Sequence, residues 1–133
     1  MRRGWFCLLW LAPAGALAHN GSIAFSPSGA EYAAVYDVPT IREAQHLALD
    51  QCGRDDCEIV VNFYPGECAA LAVGPDGWFT HVDATREAAA LGALQQCAHP
   101  QCEVGAAVCN PTGGVPQPGE RPPSVRKHAR EYL

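Results

Sequence analysis

Seven cysteines and five histidines are the residues of this 133-residue chain with the most specific chemistry. Cys52 and Cys57 stand in a C-x4-C pair, Cys97 and Cys102 in a second, and Cys68 and Cys109 follow one pair each. Six thiols at such spacings form three disulfides in an oxidising compartment, or supply thiolates to zinc in a reducing one. A C-x4-C spacing is at the loose end of the zinc range, so the choice rests on the compartment. Of the five histidines, His19, His46, His81 and His99 are scattered without metal spacing, and His128 lies in the basic end of the chain. His19 is the one weak metal candidate, because an N-terminal histidine chelates copper through its amine and ring nitrogen. The serines (Ser22, Ser26, Ser28 and Ser124) fall in no Gly-x-Ser-x-Gly elbow. Asp55, Asp56, Glu58 and Glu67 lack the dense alternating oxygens of a calcium loop. No catalytic residue and no cofactor is assigned.

The compartment is read from residues 1–18. Arg2 and Arg3 precede a short apolar run from Trp5 to Leu11, and Pro13 and Gly15 precede Ala16-Leu17-Ala18. This is the order of a signal peptide cleaved after a small-x-small site. The run is shorter than the roughly 20 residues of a membrane span. Cys7 lies inside it, not just after a cleavage site, which argues against a lipid anchor. Cleavage leaves 115 residues beginning at His19, with six cysteines, and periplasmic or secreted localisation is expected. Disulfides are therefore expected over zinc.

Charge is unevenly distributed. The whole chain carries a formal −5. Residues 19–109 hold three arginines against twelve acidic residues, a net −9, whereas residues 110–133 carry +2. An acidic domain excludes nucleic acid as an expected partner, since phosphates require Lys and Arg. It fits a basic partner through long-range complementarity.

The region between signal and tail reads as a duplication. Ala24-Phe25-Ser26-Pro27-Ser28-Gly29 answers Ala72-Val73-Gly74-Pro75-Asp76-Gly77. Thr40, Ala44, Ala48, Leu49 and Gln51 answer Thr85, Ala89, Ala93, Leu94 and Gln96, and the cysteines answer one another in turn. Within each copy, a short apolar strand, a Pro/Gly turn and an alternating strand predict a hairpin. Thr40 with Glu43 reads as a capping box opening a helix from Ile41 to about Cys52, and a β-rich run follows from Glu58. The expected fold is α+β: two tandem β-β-α-β repeats, about 22–68 and 69–109, packed through their sheets about a pseudo-twofold axis. The helices lie outside, with Ala-rich α-helical residues and Gly92 allowing close approach. A unit of about 45 residues buries too little apolar surface to stand alone. Residues 110–133 read as a flexible Pro/Gly-rich tail with a basic end, Arg126-Lys127-His128-Ala129-Arg130, which disorder, contact with an anionic surface or docking on the acidic domain would each accommodate.

Six cysteines allow fifteen pairings. The repeat favours a symmetric set: Cys52 with Cys57, Cys97 with Cys102, and Cys68 with Cys109 across the two units. The rival set pairs one cysteine of each C-x4-C with the third of its own repeat.

These residues resemble the domain of unknown function 4189 family. The resemblance rests on Ala24-Phe25-Ser26-Pro27, the Thr-capped helix ending in Cys52, Cys57 before a strand, and Cys68-Ala69-Ala70-Leu71-Ala72-Val73-Gly74. The Thr85–Cys97 helix with Cys102 and Cys109 extends it, so it covers about Ser22 to Cys109. It implies a small exported bacterial protein stiffened by cystines, and no activity or catalytic residue. Family members carry more aromatic residues in the second hairpin than Trp78-Phe79-Thr80-His81.

Function is then expected in an exported, non-enzymatic interaction module of the cell envelope, recognising another protein in the manner of an inhibitor or immunity factor. Its surface would draw on Tyr32, Tyr36, Tyr64, Trp78 and Phe79, with the Pro65-Gly66-Glu67 turn at the edge. The alternatives are a small secreted enzyme or effector with an unrecognised site, and a metal-handling protein using His19. The sequence carries no signal for oligomeric state.

Overall fold

The β1–β2 hairpin forms because Pro27-Ser28-Gly29 interrupts two runs rich in strand-forming residues. In the computed structural model of the protein, which describes residues 19–112 and the backbone of 124–128, β1 spans Asn20–Ser26 and β2 Glu31–Val38. Helix α1 (Ile41–Cys52), β3 (Glu58–Phe63), β4 (Cys68–Gly74), β5 (Gly77–Asp83), α2 (Arg86–Cys97), β6 (Glu103–Cys109) and β7 (Ser124–His128) complete the order. Two sheets result, β3-β1-β2-β7 and β5-β4-β6, with their strand pairs antiparallel. The expected signal peptide lies outside the described residues.

Period-two alternation divides the side chains among three apolar layers. Ile23, Phe25, Tyr32, Ala34 and Phe63 of the first sheet meet Ala69, Leu71, Ala106 and Val108 of the second. The opposite face of the first sheet presents Ala24, Ala33, Val35 and Val38 to Ala44, Ala48 and Cys52 of α1. On the second sheet, Cys68, Ala70 and Ala72 meet Ala89, Ala93 and Cys97 of α2. The molecule is thus an α+β arrangement of helix, sheet, sheet and helix, with the helices outside. Small residues dominate both helix–sheet layers, which brings the helices close. Gly92 takes this furthest: a Cβ there would lie 2.1 Å from the His81 ring.

Both helices begin on a threonine. The Oγ1 of Thr40 accepts from the Glu43 amide at 3.1 Å, and that of Thr85 from the Ala88 amide at 3.1 Å. Both end on a left-handed residue whose N–H bonds the carbonyl four back: Gly53 (φ 70°) to Leu49, and Ala98 (φ 51°) to Leu94. Glycine takes that conformation freely and alanine does not. Ala98→Gly is therefore expected to stabilise the protein by about 0.5–1 kcal/mol, the relief of αL strain exceeding the entropy glycine adds to the unfolded chain. A denaturant midpoint unchanged or lowered would contradict this.

Three disulfides close the structure, Cys52–Cys57, Cys97–Cys102 and Cys68–Cys109, the set the repeat favours. The location of the third differs from expectation. Cys68 opens β4 and Cys109 closes β6, directly opposite each other in one sheet. The bridge therefore ties two neighbouring strands of the second sheet and does not cross between the two units, because β4 begins at Cys68 itself.

Of the fates the sequence leaves open for the tail, part of it takes docking on the acidic domain: residues 124–128 form β7 along β2 from Glu31↔His128 to Val35↔Ser124. Unpaired amides and carbonyls on a strand edge template another strand, a force that linker composition does not reveal. The rest of the tail, from 113 to 123 and 129 to 133, lies outside the described residues.

Candidate functional site

The aromatic residues do not assemble into one surface. Tyr32 is fully buried between the sheets, a correction to its place on a binding surface: its alternation partner set faces inward with Ala34. Tyr36 and Trp78 pack half-buried against that same layer, whereas Phe79, the next residue on β5, packs on the α2 side. Tyr64 alone is exposed, at 50%. Two sheets face each other here, so inward aromatic positions become core. Single-strand alternation cannot tell which face is inward.

A buried polar clamp replaces them as the most constrained constellation. His19 is 1% exposed, and its Nδ1 pairs with the carboxylate of Asp37. Asp37 sits at φ 59°, a left-handed conformation that Asp tolerates. Its amide donates to Asn110 Oδ1 at 2.8 Å, while Asn110 Nδ2 donates to the carbonyls of Phe63 (3.1 Å) and Tyr64 (3.2 Å). The Asn110 amide donates to the Glu67 carbonyl and the Gly66 amide to that of Pro111, both at 2.9 Å. Asn20 Nδ2 donates to the Pro39 carbonyl at 3.0 Å. The start of β1, the end of β2, the β3–β4 turn and the exit of β6 are thereby held together. A copper chelate through the His19 amine and Nδ1 would have to break the pair with Asp37, and among the described residues no three His, Cys, Asp or Glu side chains group to hold a metal.

Further polar side chains are similarly engaged. Ser22 Oγ donates to Asn62 Oδ1 at 2.5 Å, which also accepts from Gln45 Nε2 at 3.2 Å, linking β1, β3 and α1. On the rim of an open depression of about 410 Å³ over α2, His81 Nε2 is 3.2 Å from Asp83 Oδ2, and Gln96 Nε2 donates to His81 Nδ1 at 3.3 Å. Both ring nitrogens of His81 therefore lie within hydrogen-bond distance of a partner. The Ala84 amide and then His81 hold the Asp83 carboxyl below its ordinary range. The depression is lined also by Ala88, Leu91, Gly92 and Gln95. His46 and His99 are exposed on other elements.

The turn of the first hairpin carries the clearest electrostatic feature. Ser26 Oγ donates to Asp56 Oδ1 at 2.6 Å and the Ser28 amide to Oδ2 at 2.9 Å. These hydrogen bonds, the Ser26 hydroxyl first, lower the Asp56 pKa from 3.8 to about 2. A folded-state pKa below the unfolded value stabilises the turn fully above about pH 4, and the contribution fades as pH falls through about 2. The Ser28 amide chemical shift is expected to titrate with a midpoint near 2 and to lose that step in Asp56→Asn; a midpoint at 3.8 or above would refute the arrangement. Beside it, Arg54 Nη2 lies 3.2 Å from Glu31 Oε1.

Residues 20–109 match the family model described as a domain of unknown function, DUF4189. The chain belongs to the DUF4189 family. No curated protein and no solved structure matches it. The family span covers β1 through β6, and so contains all three disulfides, while β7 lies beyond it. Within this DUF4189 domain, the partners that sequence reasoning missed are Asp37 and Asn110 around His19, and Asp83 and Gln96 around His81. Asn110 is 73 residues from Asp37. The pairing of β6 with β4, in which Cys109 stands opposite Cys68, brings it there, and no local pattern announces it.

Proposed function

We propose that this DUF4189 protein is an exported interaction module of the bacterial cell envelope that recognises another, basic, protein, as an inhibitor or immunity factor does. The observation that carries the reading is the charge of its rigid domain. Residues 19–109 hold a net −9, and Glu43, Asp50, Asp55, Asp56, Glu58, Asp76 and Glu87 stand exposed. One of its three arginines, Arg54, is paired with Glu31. Such a surface steers and selects a cationic partner, and a cystine-braced scaffold presents it with little ordering cost. Three disulfides and the N-terminal leader support periplasmic or secreted localisation. No helix among the described residues is long and apolar enough to cross a membrane.

The domain's duplication belongs to the same reading. The β-β-α-β order occurs twice, with β1 and β4 each central in a sheet. Register shifts fall at Val60 on β3 and Gly105 on β6, 45 positions apart, as are Thr40 and Thr85. These correspondences support two repeats related by a pseudo-twofold axis.

The test is capture of envelope and culture-medium proteins on the immobilised, oxidised mature chain. One stoichiometric partner, held at low salt and released at high salt, is the expected result. Turnover of peptidoglycan or peptide by the purified chain would replace this reading with an enzymatic one. Tight copper binding abolished by extending the N-terminus would replace it with metal handling through His19.

A further inference from the structure

We infer that the outer edge of β2 is a strand-acceptor site for an extended basic segment of a partner protein, and that the chain's own tail strand β7 occupies it in the free protein. The inference rests on the interaction-module reading and names its surface.

The edges of the two sheets are protected in different ways. Strands β3 and β6 each carry a bulge, at Val60 and Gly105, which disrupts regular pairing on an edge. On β5, Gln96 Nε2 donates to the Thr80 carbonyl at 3.1 Å, capping a main-chain acceptor. The stretch Tyr32-Ala33-Ala34-Val35 of β2 has no proline, lysine or arginine. Its pairing with β1 is in continuous register from Ser22↔Val35 to Ser26↔Glu31. β2 has its own irregularity at Tyr36–Asp37, but the stretch before it is regular, and β7 covers it over Glu31–Val35.

The cover is short and matched in charge. β7 has five residues, within a tail of net +2 against a domain of −9. Its register runs Arg126, Lys127 and His128 opposite Ala33, Tyr32 and Glu31, toward the β1–β2 turn. That turn is the one bonded by Asp56, with Asp55 beside it and exposed. Strand addition draws affinity from main-chain hydrogen bonds and selectivity from a few side-chain matches, so another extended segment with the same basic end can take the place. A tethered tail competes at an effective concentration of roughly millimolar, which makes it a gate that only a tighter partner opens.

The test uses the full oxidised chain and a fluorescent synthetic peptide of residues 121–133. Successive amides of a strand alternate between partner and solvent. Val125→Pro with Arg126→Pro therefore removes a ladder N–H whichever way β7 alternates. The double variant is expected to bind the peptide one-to-one, at least tenfold more tightly than wild type, with affinity falling as salt rises. Amides of Ala33–Val35 should exchange faster in the variant and regain protection with peptide. A second full-length variant, Arg126→Ser with Lys127→Ser, keeps every tail N–H and is expected to bind peptide at an intermediate affinity. Equal binding by wild type and double variant, or equal binding of a peptide carrying the same two prolines, would overturn the proposal. A wild-type dimer lost in the double variant would overturn it in favour of a second copy as occupant. Capture of the same basic protein by wild type and by both variants, with no peptide binding, would leave the interaction reading standing and remove the β2 edge from it.

Discussion

Removing the Cys68–Cys109 bridge, by Cys68→Ala with Cys109→Ala, is expected to lower the unfolding free energy by about 4 kcal/mol, twice the loss at either local bridge. The two cysteines are 41 residues apart, whereas the local pairs are each separated by 5. Loop-closure entropy in the unfolded chain rises with the logarithm of loop length, which gives about 4 against about 2 kcal/mol. For a domain of this size the larger loss corresponds to a fall in Tm on the order of 20 °C. Contacts sharpen the difference. The bridge closes β4 onto β6, and Asn110, the next residue, completes the polar clamp. Urea unfolding of the three double-alanine variants would show the ranking, and equal losses would contradict it.

Asp37→Ala is expected to cost about 3–4 kcal/mol. The His19 and Asp37 side chains are 2% and 8% exposed, and truncating Asp37 removes a buried hydrogen bond, a loss of about 1–3 kcal/mol. Alanine at a left-handed φ adds strain of roughly 1–2 kcal/mol, which completes the total. Asp37→Asn keeps a hydrogen-bonding side chain tolerant of that backbone, and is expected to lose about a third as much. If the two variants were equally stable, the pair would not be holding the β1 terminus. The pair ties His19, just before β1, to Asp37 near the end of β2.

Much of the fold is legible in the sequence because each element carries its own local instruction. Thr40 and Thr85 cap helices, Pro27-Ser28-Gly29 turns a hairpin, and the Tyr32–Tyr36 alternation places Tyr32 and Ala34 on one face and Ala33 and Val35 on the other. The disulfide set is legible in part, because the repeated cysteine spacing reduces fifteen pairings to a few symmetric ones, the observed set among them. What was not legible depends on how surfaces meet. Tyr32 read as a surface aromatic because nothing in β2 says that a second sheet will cover that face. In the structure Gly105 of the other sheet approaches it, a Cβ there being 3.2 Å from the ring. Likewise β7 follows a proline- and glycine-rich linker, and its strand state comes from the edge of β2, ninety residues earlier in the chain. The polar clamp joins His19, Asp37 and Asn110 through main-chain geometry that residue type alone does not encode.

The central claim is that the acidic, cystine-braced domain recognises a basic protein. Its most direct measurement is retention of envelope proteins on the immobilised oxidised chain at low and high salt. Wild type would be compared with an Asp50→Asn, Asp55→Asn, Glu58→Gln variant, whose changes lie at exposed positions. The account predicts one protein retained stoichiometrically by wild type at low salt, released at high salt, and held at least tenfold more weakly by the variant. Retention indifferent to both salt and these charges, or no retained protein at all, would contradict it.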